Sequence, residues 1–384
     1  MHFSHALPRR PMPAPLTAIG RFIRRNPVLC VAAALAAITA LIVPPDAKYL
    51  SYPDYKTLSC LFCTLAVVCA LKNIRFFTIL AQKIVRCTGN ARAAILTLVY
   101  ITFLGSMLIA NDMALLTFLP LGCYVLHATG KEKYLAFTVI MQNIAANLGG
   151  MLTPFGNPQN LYLYNFFSIP TPEFMRIMAP PFAAAVTLIT LCCLFVRPEP
   201  LRIGQTESET LPPVRTALYL LLFALSIVIV FRVIPFWIGL IVIPAALLWL
   251  DRDALKAVDY PLLLTFLCFF TFAGNMARIP ALRTLLEWLL QKNTLIFSVL
   301  SCQFISNVPS AILLSQFTQD YRALLLGVNI GGCGTLIASL ASLISFREYS
   351  RQQPGHTGRY ILLFSAFNFG FLLLLSVFCS FLCR

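Results

Sequence analysis

A short segment rich in glycine, asparagine and threonine occurs twice in this chain, each time inside an apolar stretch. The first copy runs from Asn147 to Leu161 and the second from Asn329 to Leu343, and they align without a gap at an offset of 182 residues. Polar and helix-breaking residues are costly inside an apolar span unless they line a cavity. Interrupted helices at matching places in two halves of a chain are typical of secondary transporters. The repeat therefore predicts two related halves that share one site.

Composition restricts the chain to the membrane. It is 59% hydrophobic and 11% charged over 384 residues, which is too apolar for a soluble domain. Several apolar stretches are long enough to cross a bilayer. We therefore expect an all-α polytopic membrane protein with the lipid bilayer as a partner. The net charge of +15 lies largely in loops beside these stretches. Such charges orient a membrane protein, and no nucleic-acid partner is expected.

The apolar segments suggest a layout with spans and hairpins. Nine segments are expected to cross the membrane, near residues 28–43, 57–71, 134–168, 175–196, 214–232, 236–250, 260–277, 319–346 and 359–383. The segments 134–168 and 319–346 contain the repeated motif and are expected to be broken helices. Two further regions, 93–127 and 293–317, are each interrupted by a short polar tip. We expect both to form re-entrant hairpins whose tips lie at membrane depth.

A second pair of motifs extends the repeat towards the N-terminus. Pro53-Asp54-Tyr55 resembles Val258-Asp259-Tyr260, and each opens a span followed by an amphipathic segment, 75–90 or 278–292, expected at the membrane interface. Five full spans separate the starts of the two units, which is an odd number. The second unit is therefore expected to be inverted. The hairpins then enter from opposite sides, and their tips meet near the midplane, where such transporters hold substrate.

Basic residues concentrate in the loops that this layout places in the cytoplasm, so the N-terminus is expected inside. The expected division of the chain is a cytoplasmic N-terminal segment at 1–27, a first half at 28–196 with the hairpin 93–127 and the broken helix 134–168, a cytoplasmic linker at 197–213, and a second half at 214–384 with the hairpin 293–317 and the broken helix 319–346.

The tips and the broken helices carry the residues suited to a site. Asn111 and Asn307 each open a helix, whose unpaired N–H groups and positive dipole end suit an anion. Unwound carbonyls and asparagine oxygens beside a helix end suit a hard cation such as Na⁺. The broken helices supply more such groups, and their glycines let the backbone come close to a ligand.

Asp112 breaks the symmetry between the tips, since Val308 stands at the matching position. An intramembrane carboxylate suggests a functional role, either balancing a bound Na⁺ or taking up a proton. Alternatively, Asp112 caps the helix that begins at the tip.

These motifs resemble the ion transporter superfamily, which holds divalent anion–sodium symporters, citrate transporters and arsenite permeases. Ser306-Asn307 and Thr153-Pro154 are similar to symporter motifs, whereas Ala110-Asn111-Asp112 is similar to arsenite permeases. The segment from Thr153 to Leu161 resembles a short bacterial anion-permease subgroup. The resemblance covers about residues 28–384. It implies a scaffold and a transport domain that holds both hairpins and moves as an elevator, usually in a homodimer.

The motifs and the resemblance together assign residues to roles. The substrate is expected to contact Asn111, Thr153, Pro154, Asn307, Val308 and Thr335. A cation is expected at Asn111, Asp112, Gly156, Asn157, Ser306, Asn307, Gly334 and Ala338.

The expected function is secondary active transport of a small anion, an organic carboxylate or an inorganic oxyanion, across the cell (inner) membrane. Coupling to Na⁺ or H⁺ is expected, with no other cofactor. The alternatives within transport are arsenite or antimonite efflux and Na⁺/H⁺ exchange. A membrane-embedded enzyme needs an acid–base cluster at the midplane, where the sequence places only Asp112, so no catalytic residue is expected. The paired broken helices argue against a channel, because alternating access needs them and a pore does not.

Overall fold

A computed structural model describes Phe22, residues 26–201 and residues 210–383. Most of the expected N-terminal segment and the middle of the linker lie outside the described residues. The described regular structure is helical apart from one bridge between Asn90 and Pro200. The α-helices are α1 (Pro27–Ile42), α2 (Tyr55–Asn73), α3 (Phe76–Arg86), α4 (Ala91–Ile109), α5 (Asn111–Ala128), α6 (Leu135–Gly149), α7 (Pro158–Phe166), α8 (Thr171–Leu194), α9 (Pro213–Val230), α10 (Phe236–Leu250), α11 (Arg252–Lys256), α12 (Tyr260–Ala277), α13 (Pro280–Ile305), α14 (Asn307–Leu314), α15 (Tyr321–Ile330), α16 (Leu340–Gln352) and α17 (Thr357–Leu382).

Seven helical segments in the described part of the chain are long and apolar enough to cross a membrane. They comprise α2, α4, α8, α9, α12, α17 and the segment Glu132–Leu152 around α6. A helix in lipid satisfies its own backbone hydrogen bonds, which explains why these apolar stretches are helical. The expected full spans at 28–43 and 236–250 become α1 and α10, of 16 and 15 residues. Both are shorter than the roughly 20 residues of a complete crossing.

The two repeat units open with the same local structure. Asp54 caps α2 and Asp259 caps α12, each by accepting a hydrogen bond of 3.0 Å from the backbone N–H three residues later. The following residue is Tyr55 or Tyr260, and in both cases its hydroxyl donates to the carbonyl five residues earlier. The sequence match between these motifs therefore reflects a shared helix start.

The opening helices of the two units, α2 and α12, run antiparallel. Arg278, just after α12, donates a 3.0 Å hydrogen bond to the hydroxyl of Tyr52, just before α2. At the other end, the Cys69 thiol near the end of α2 donates to the carbonyl of Ala257, just before α12, at 3.3 Å. Equivalent helices that run in opposite directions are the geometry of an inverted repeat.

The helices pack in two groups. In the first, α1 packs against α12, and α2 packs against α9 and α10. In the second, α4, α5 and α6 pack together, and α16 joins α5 and α6 while α8 joins α17. The second hairpin, α13 and α14, packs mainly against α15 and also contacts α12. Both hairpins, and α7 of the first broken helix, thus contact helices of the first group.

The segment expected at the interface in the second half is continuous with the hairpin. Helix α13 runs through both, with a break at Asn293, where φ is −167° and ψ is 94°. The Asn293 side chain accepts a hydrogen bond of 2.9 Å from the N–H of Ile296 and so caps the second part. In the first half, α3 and α4 are separate helices.

Candidate functional site

Each hairpin turns through a single residue with an unusual backbone. Ala110 joins α4 to α5 with φ 63° and ψ 151°, and Ser306 joins α13 to α14 with φ 73° and ψ 161°. A positive φ in a residue other than glycine costs about 1–3 kcal/mol, and the surrounding structure must stabilise it. Both hairpins have the same strained turn, so the two tips share one backbone geometry.

An asparagine follows each turn and stabilises it in the same way. The Asn111 side-chain oxygen accepts a hydrogen bond of 3.0 Å from the N–H of Asp112. The Asn307 oxygen accepts one of 2.9 Å from the N–H of Val308. Both asparagines are 4% exposed. The paired asparagines of the sequence are therefore structural equivalents.

A threonine in each broken helix segment forms a hydrogen bond to the hairpin of its own half. The Thr153 hydroxyl donates to the carbonyl of Met107, and the Thr335 hydroxyl donates to the carbonyl of Gln303, each at 3.0 Å. Met107 and Gln303 both lie three residues before the turn of their hairpin. The breaks between α6 and α7 and between α15 and α16 therefore lie at the level of the tips.

Asparagine and serine side chains link the two halves. Asn147 of α6 accepts a hydrogen bond of 2.7 Å from the Ser339 hydroxyl, at the start of α16. Its repeat equivalent, Asn329 of α15, accepts one of 3.4 Å from the amide of Asn157, at the start of α7. Asn147 also accepts from the Asn111 amide at 3.3 Å. The contacts Asn147–Ser339 and Asn329–Asn157 are related by the repeat, so the broken helices meet about a pseudo-twofold axis.

Glycine permits this close approach. A Cβ atom on Gly150 would lie 2.3 Å from the Asn157 side-chain oxygen, and one on Gly156 would lie 2.3 Å from the carbonyl of Gly150. Gly334 has a φ of 117°, and a Cβ there would meet the Gln303 amide oxygen at 2.1 Å. Larger residues at these positions would displace the loops that hold the tips.

A cavity of about 290 Å³ lies between the tips and the first group of helices. Helices α5, α7, α14 and α16 all begin at it, with Asn111, Pro158, Asn307 and Leu340 in its wall. Each helix start carries roughly half an elementary positive charge. Four such starts around one cavity make its polar end attractive to an anion.

Asp112 brings a carboxyl group to this cavity. One of its oxygens, Oδ1, is buried and has no hydrogen-bond partner, and Asp112 forms no ion pair with any described residue. The capping alternative is wrong for this structure: α5 begins at Asn111, and no side chain caps it. The carboxyl group is thus available to a ligand.

The predicted site residues fall into two sets. Those that line the cavity are Asn111, Asp112, Ser306, Asn307 and Val308. Those that lie behind the tips, among the described residues outside the cavity wall, are Thr153, Pro154, Gly156, Asn157, Gly334, Thr335 and Ala338. Ala338, for example, accepts hydrogen bonds on its carbonyl from the N–H of Asn307 at 3.0 Å and from the Ser306 hydroxyl at 3.2 Å.

Three residues outside the predicted set hold the site together. Asn147 and Ser339 link the halves, and their place in the repeat is the signal that marks them. Gln303 donates to the carbonyls of Gly331 and Cys333 and accepts from the N–H of Thr335. A glutamine in an apolar helix is the only sequence signal for that role.

The oxygen atoms near the tips fit a hard cation better than a soft one. Asn157 Oδ1, like Asp112 Oδ1, is buried without a hydrogen-bond partner. Amide, carboxylate and carbonyl oxygens are ligands for Na⁺-like ions. Among the described residues, no group of three or more His, Cys, Asp and Glu side chains is placed to hold a metal ion.

Comparison with known proteins relates the chain to membrane transporters. A family model described as citrate transporter matches residues 16–321. The uncharacterized transporter MJ0456 of Methanocaldococcus jannaschii is 32% identical over 298 residues, 77% of this chain and 81% of that protein. The inner membrane protein YbiR of Escherichia coli is 30% identical over 279 residues, 71% of this chain and 74% of that protein.

A solved structure shares the fold. The crystal structure of the Alcanivorax borkumensis YdaH transporter, described as having an unusual topology, matches with a TM-score of 0.57. The match covers 96% of this chain and 99% of that chain at 13% sequence identity.

Proposed function

The chain belongs to the citrate transporter family, and we propose that this multi-pass membrane protein is a secondary active transporter of a small anion, coupled to Na⁺ or H⁺. The anion is an organic carboxylate or an inorganic oxyanion. The observation that most directly supports anion transport is the cavity at which four helices begin, namely α5, α7, α14 and α16. An anion placed there faces four positive helix ends without needing a basic side chain.

Asp112 supplies the coupling in this proposal. An ionised Asp112 beside the anion site repels the substrate unless a cation or a proton is present. Binding of Na⁺ or H⁺ therefore favours binding of the anion, and the two move together. The unpaired oxygens of Asp112 and Asn157 are the proposed cation ligands.

The proposed movement follows the two groups of helices. The second group, with α4, α5, α6 and α16, carries the first tip, and the hairpin of α13 and α14 carries the second. Helices α1 and α12 of the first group form the opposite wall of the cavity. We propose that the second group and the two hairpins move across the membrane against the first group as an elevator, in a homodimer. The related inner membrane protein and the basic loops support a cell (inner) membrane location with the N-terminus in the cytoplasm.

Uptake into proteoliposomes tests the proposal. Labelled citrate, succinate, lactate, phosphate, sulfate and arsenite are offered with an imposed Na⁺ gradient, an imposed pH gradient, or neither. We expect gradient-dependent accumulation of at least one anion, and loss of that accumulation in both Asn111→Ala and Asn307→Ala. Absence of transport for every compound in the panel under both gradients would count against the proposal.

One observation favours a second candidate, Na⁺/H⁺ exchange. Asp112 is the only ionisable side chain among the described residues that line the cavity. A carboxylate that binds Na⁺ and H⁺ in turn is sufficient for exchange. Dequenching of a pH-sensitive dye inside the proteoliposomes on addition of Na⁺, with no transported anion present, would support this candidate.

A further inference from the structure

We infer that the substrate is a small organic anion with a single negative charge and an apolar body, rather than a di- or tricarboxylate. The inference rests on the proposed function and names the substrate class of the same cavity.

The charge of the cavity sets the first limit. No Lys, Arg or His lies among the described residues that line it, and Asp112 contributes a negative charge when ionised. The helix starts supply only partial charges, roughly half an elementary charge each. A second or third carboxylate would lie against a mostly apolar wall without a countercharge, which is strongly unfavourable.

The second tip sets another limit, because its backbone donors are already used. The N–H of Asn307 donates to the carbonyl of Ala338, and the N–H of Val308 donates to the Asn307 side chain. The next residue is Pro309, which has no N–H. The first turn of α14 therefore has no free donor for a second carboxylate.

The wall opposite the tips is apolar. It is formed on one side by Val28, Val31 and Leu35 of α1 and on the other by Leu262, Phe266 and Phe269 of α12. This cavity is polar at one end and lined with aliphatic and aromatic side chains at the other. It therefore matches a molecule with one charged end and an apolar body. The carboxylate faces the tips, and the hydrocarbon portion lies against the apolar surface that α1 and α12 form together.

Helix α12 offers a matched pair of variants. Leu262 lines the cavity, whereas Leu264, two residues later on the same helix, is 50% exposed on the outer surface and is not in the cavity wall. Leu262→Ala and Leu264→Ala remove the same atoms from the same helix. Only the first removes contact with a substrate in the cavity.

The test is binding of acetate, hexanoate, succinate, citrate and phosphate to the full chain in lipid nanodiscs, with empty nanodiscs as the control for partition into lipid. We expect hexanoate to bind at least tenfold more tightly than acetate, succinate or citrate. Leu262→Ala should weaken hexanoate binding by about tenfold, in the range known for lost hydrocarbon contacts in an apolar pocket. Leu264→Ala should leave it unchanged.

Three results would overturn the inference. Tighter binding of succinate, citrate or phosphate than of hexanoate would do so while leaving the proposed anion transport intact. Hexanoate binding that is equal in Leu262→Ala and Leu264→Ala would place that ligand outside the cavity. Failure of every anion both to bind and to be transported would remove the inference and the proposed function together.

Discussion

Asn111 and Asn307 show how single residues define this site. Each follows a strained one-residue turn, and each uses its side-chain oxygen to satisfy the next backbone N–H. The equivalence ends one residue later, where Asp112 stands in one half and Val308 in the other. The shared asparagines build the tips, and the difference between Asp112 and Val308 gives one tip a charge that the other lacks.

Replacement of Asp112 by asparagine tests its part in coupling. Asp112→Asn keeps the size of the side chain and removes the carboxylate to which the proposed mechanism assigns repulsion of the anion. We expect substrate to bind with little or no dependence on Na⁺ and pH, whereas the unmodified protein requires one of them. Substrate affinity measured at several Na⁺ concentrations and pH values checks this. An unchanged cation dependence in Asp112→Asn would show that coupling lies elsewhere.

Gly150 tests the close packing behind the tips. In Gly150→Ala the new Cβ lies 2.3 Å from the Asn157 side-chain oxygen and 2.8 Å from the carbonyl of Gly156. We expect a loss of stability of about 1–3 kcal/mol, as for other overpacked sites, together with reduced transport. Gly370→Ala is the control, because a Cβ there has no neighbour within 4 Å. Thermal unfolding and uptake that are equal in the two variants would contradict this account of the loop.

At the scale of elements, the chain that follows α8 is fastened to the base of the first hairpin. The Glu199 carboxylate accepts hydrogen bonds from Lys131 at 2.7 Å, from Lys133 at 2.5 Å and from the Tyr134 hydroxyl at 2.9 Å. Its backbone carbonyl accepts from the N–H of Ala91 at 2.8 Å. The segment up to Leu201 is thereby tied to α4 and α6, so in an elevator it travels with the hairpin.

The stabilisation that the Glu199 carboxylate provides depends on pH, because only the ionised form makes these ion pairs. Hydrogen bonds from Lys131, then Lys133 and Tyr134, lower the pKa of Glu199 from 4.5 to about 2. Because the pKa is lower in the folded state, the stabilisation is present above the unfolded value and is lost as pH falls towards 2. We expect Glu199→Gln to melt at a lower temperature than the unmodified protein, by a constant amount above about pH 5, with a difference that shrinks below pH 4.5.

Glu287→Gln is the matched control, since among the described residues Glu287 forms an ion pair only with Arg283 of the same helix, four residues earlier, at 2.7 Å. An exposed pair of this kind contributes little. Melting temperatures that fall equally in the two variants would show that Glu199 does not join separate elements.

For the whole molecule, the sequence predicted the architecture better than the site. Hydropathy and the repeat were sufficient for an all-helical membrane fold with inverted halves, because a bilayer forces apolar stretches into helices and matched motifs adopt matched structures. The sequence did not show that Thr153 and Thr335 would bond to hairpin carbonyls behind the tips. Nor did it predict the positive φ of Ala110 and Ser306, because neither residue is glycine. Both features depend on contacts between distant segments.

The central claim is that both tips border one cavity that opens alternately to the two sides of the membrane. Val308 lies in the cavity wall and is partly exposed, whereas Ala311, one turn further along α14, is fully buried. In sealed vesicles of known orientation, reaction of Val308→Cys with a membrane-impermeant thiol reagent is measured from each side, against the unmodified protein and Ala311→Cys. We predict reaction at position 308 from both sides, protection by the transported anion with its cation, and no added reaction at position 311. Reaction from one side only under every substrate and ion condition would contradict the account.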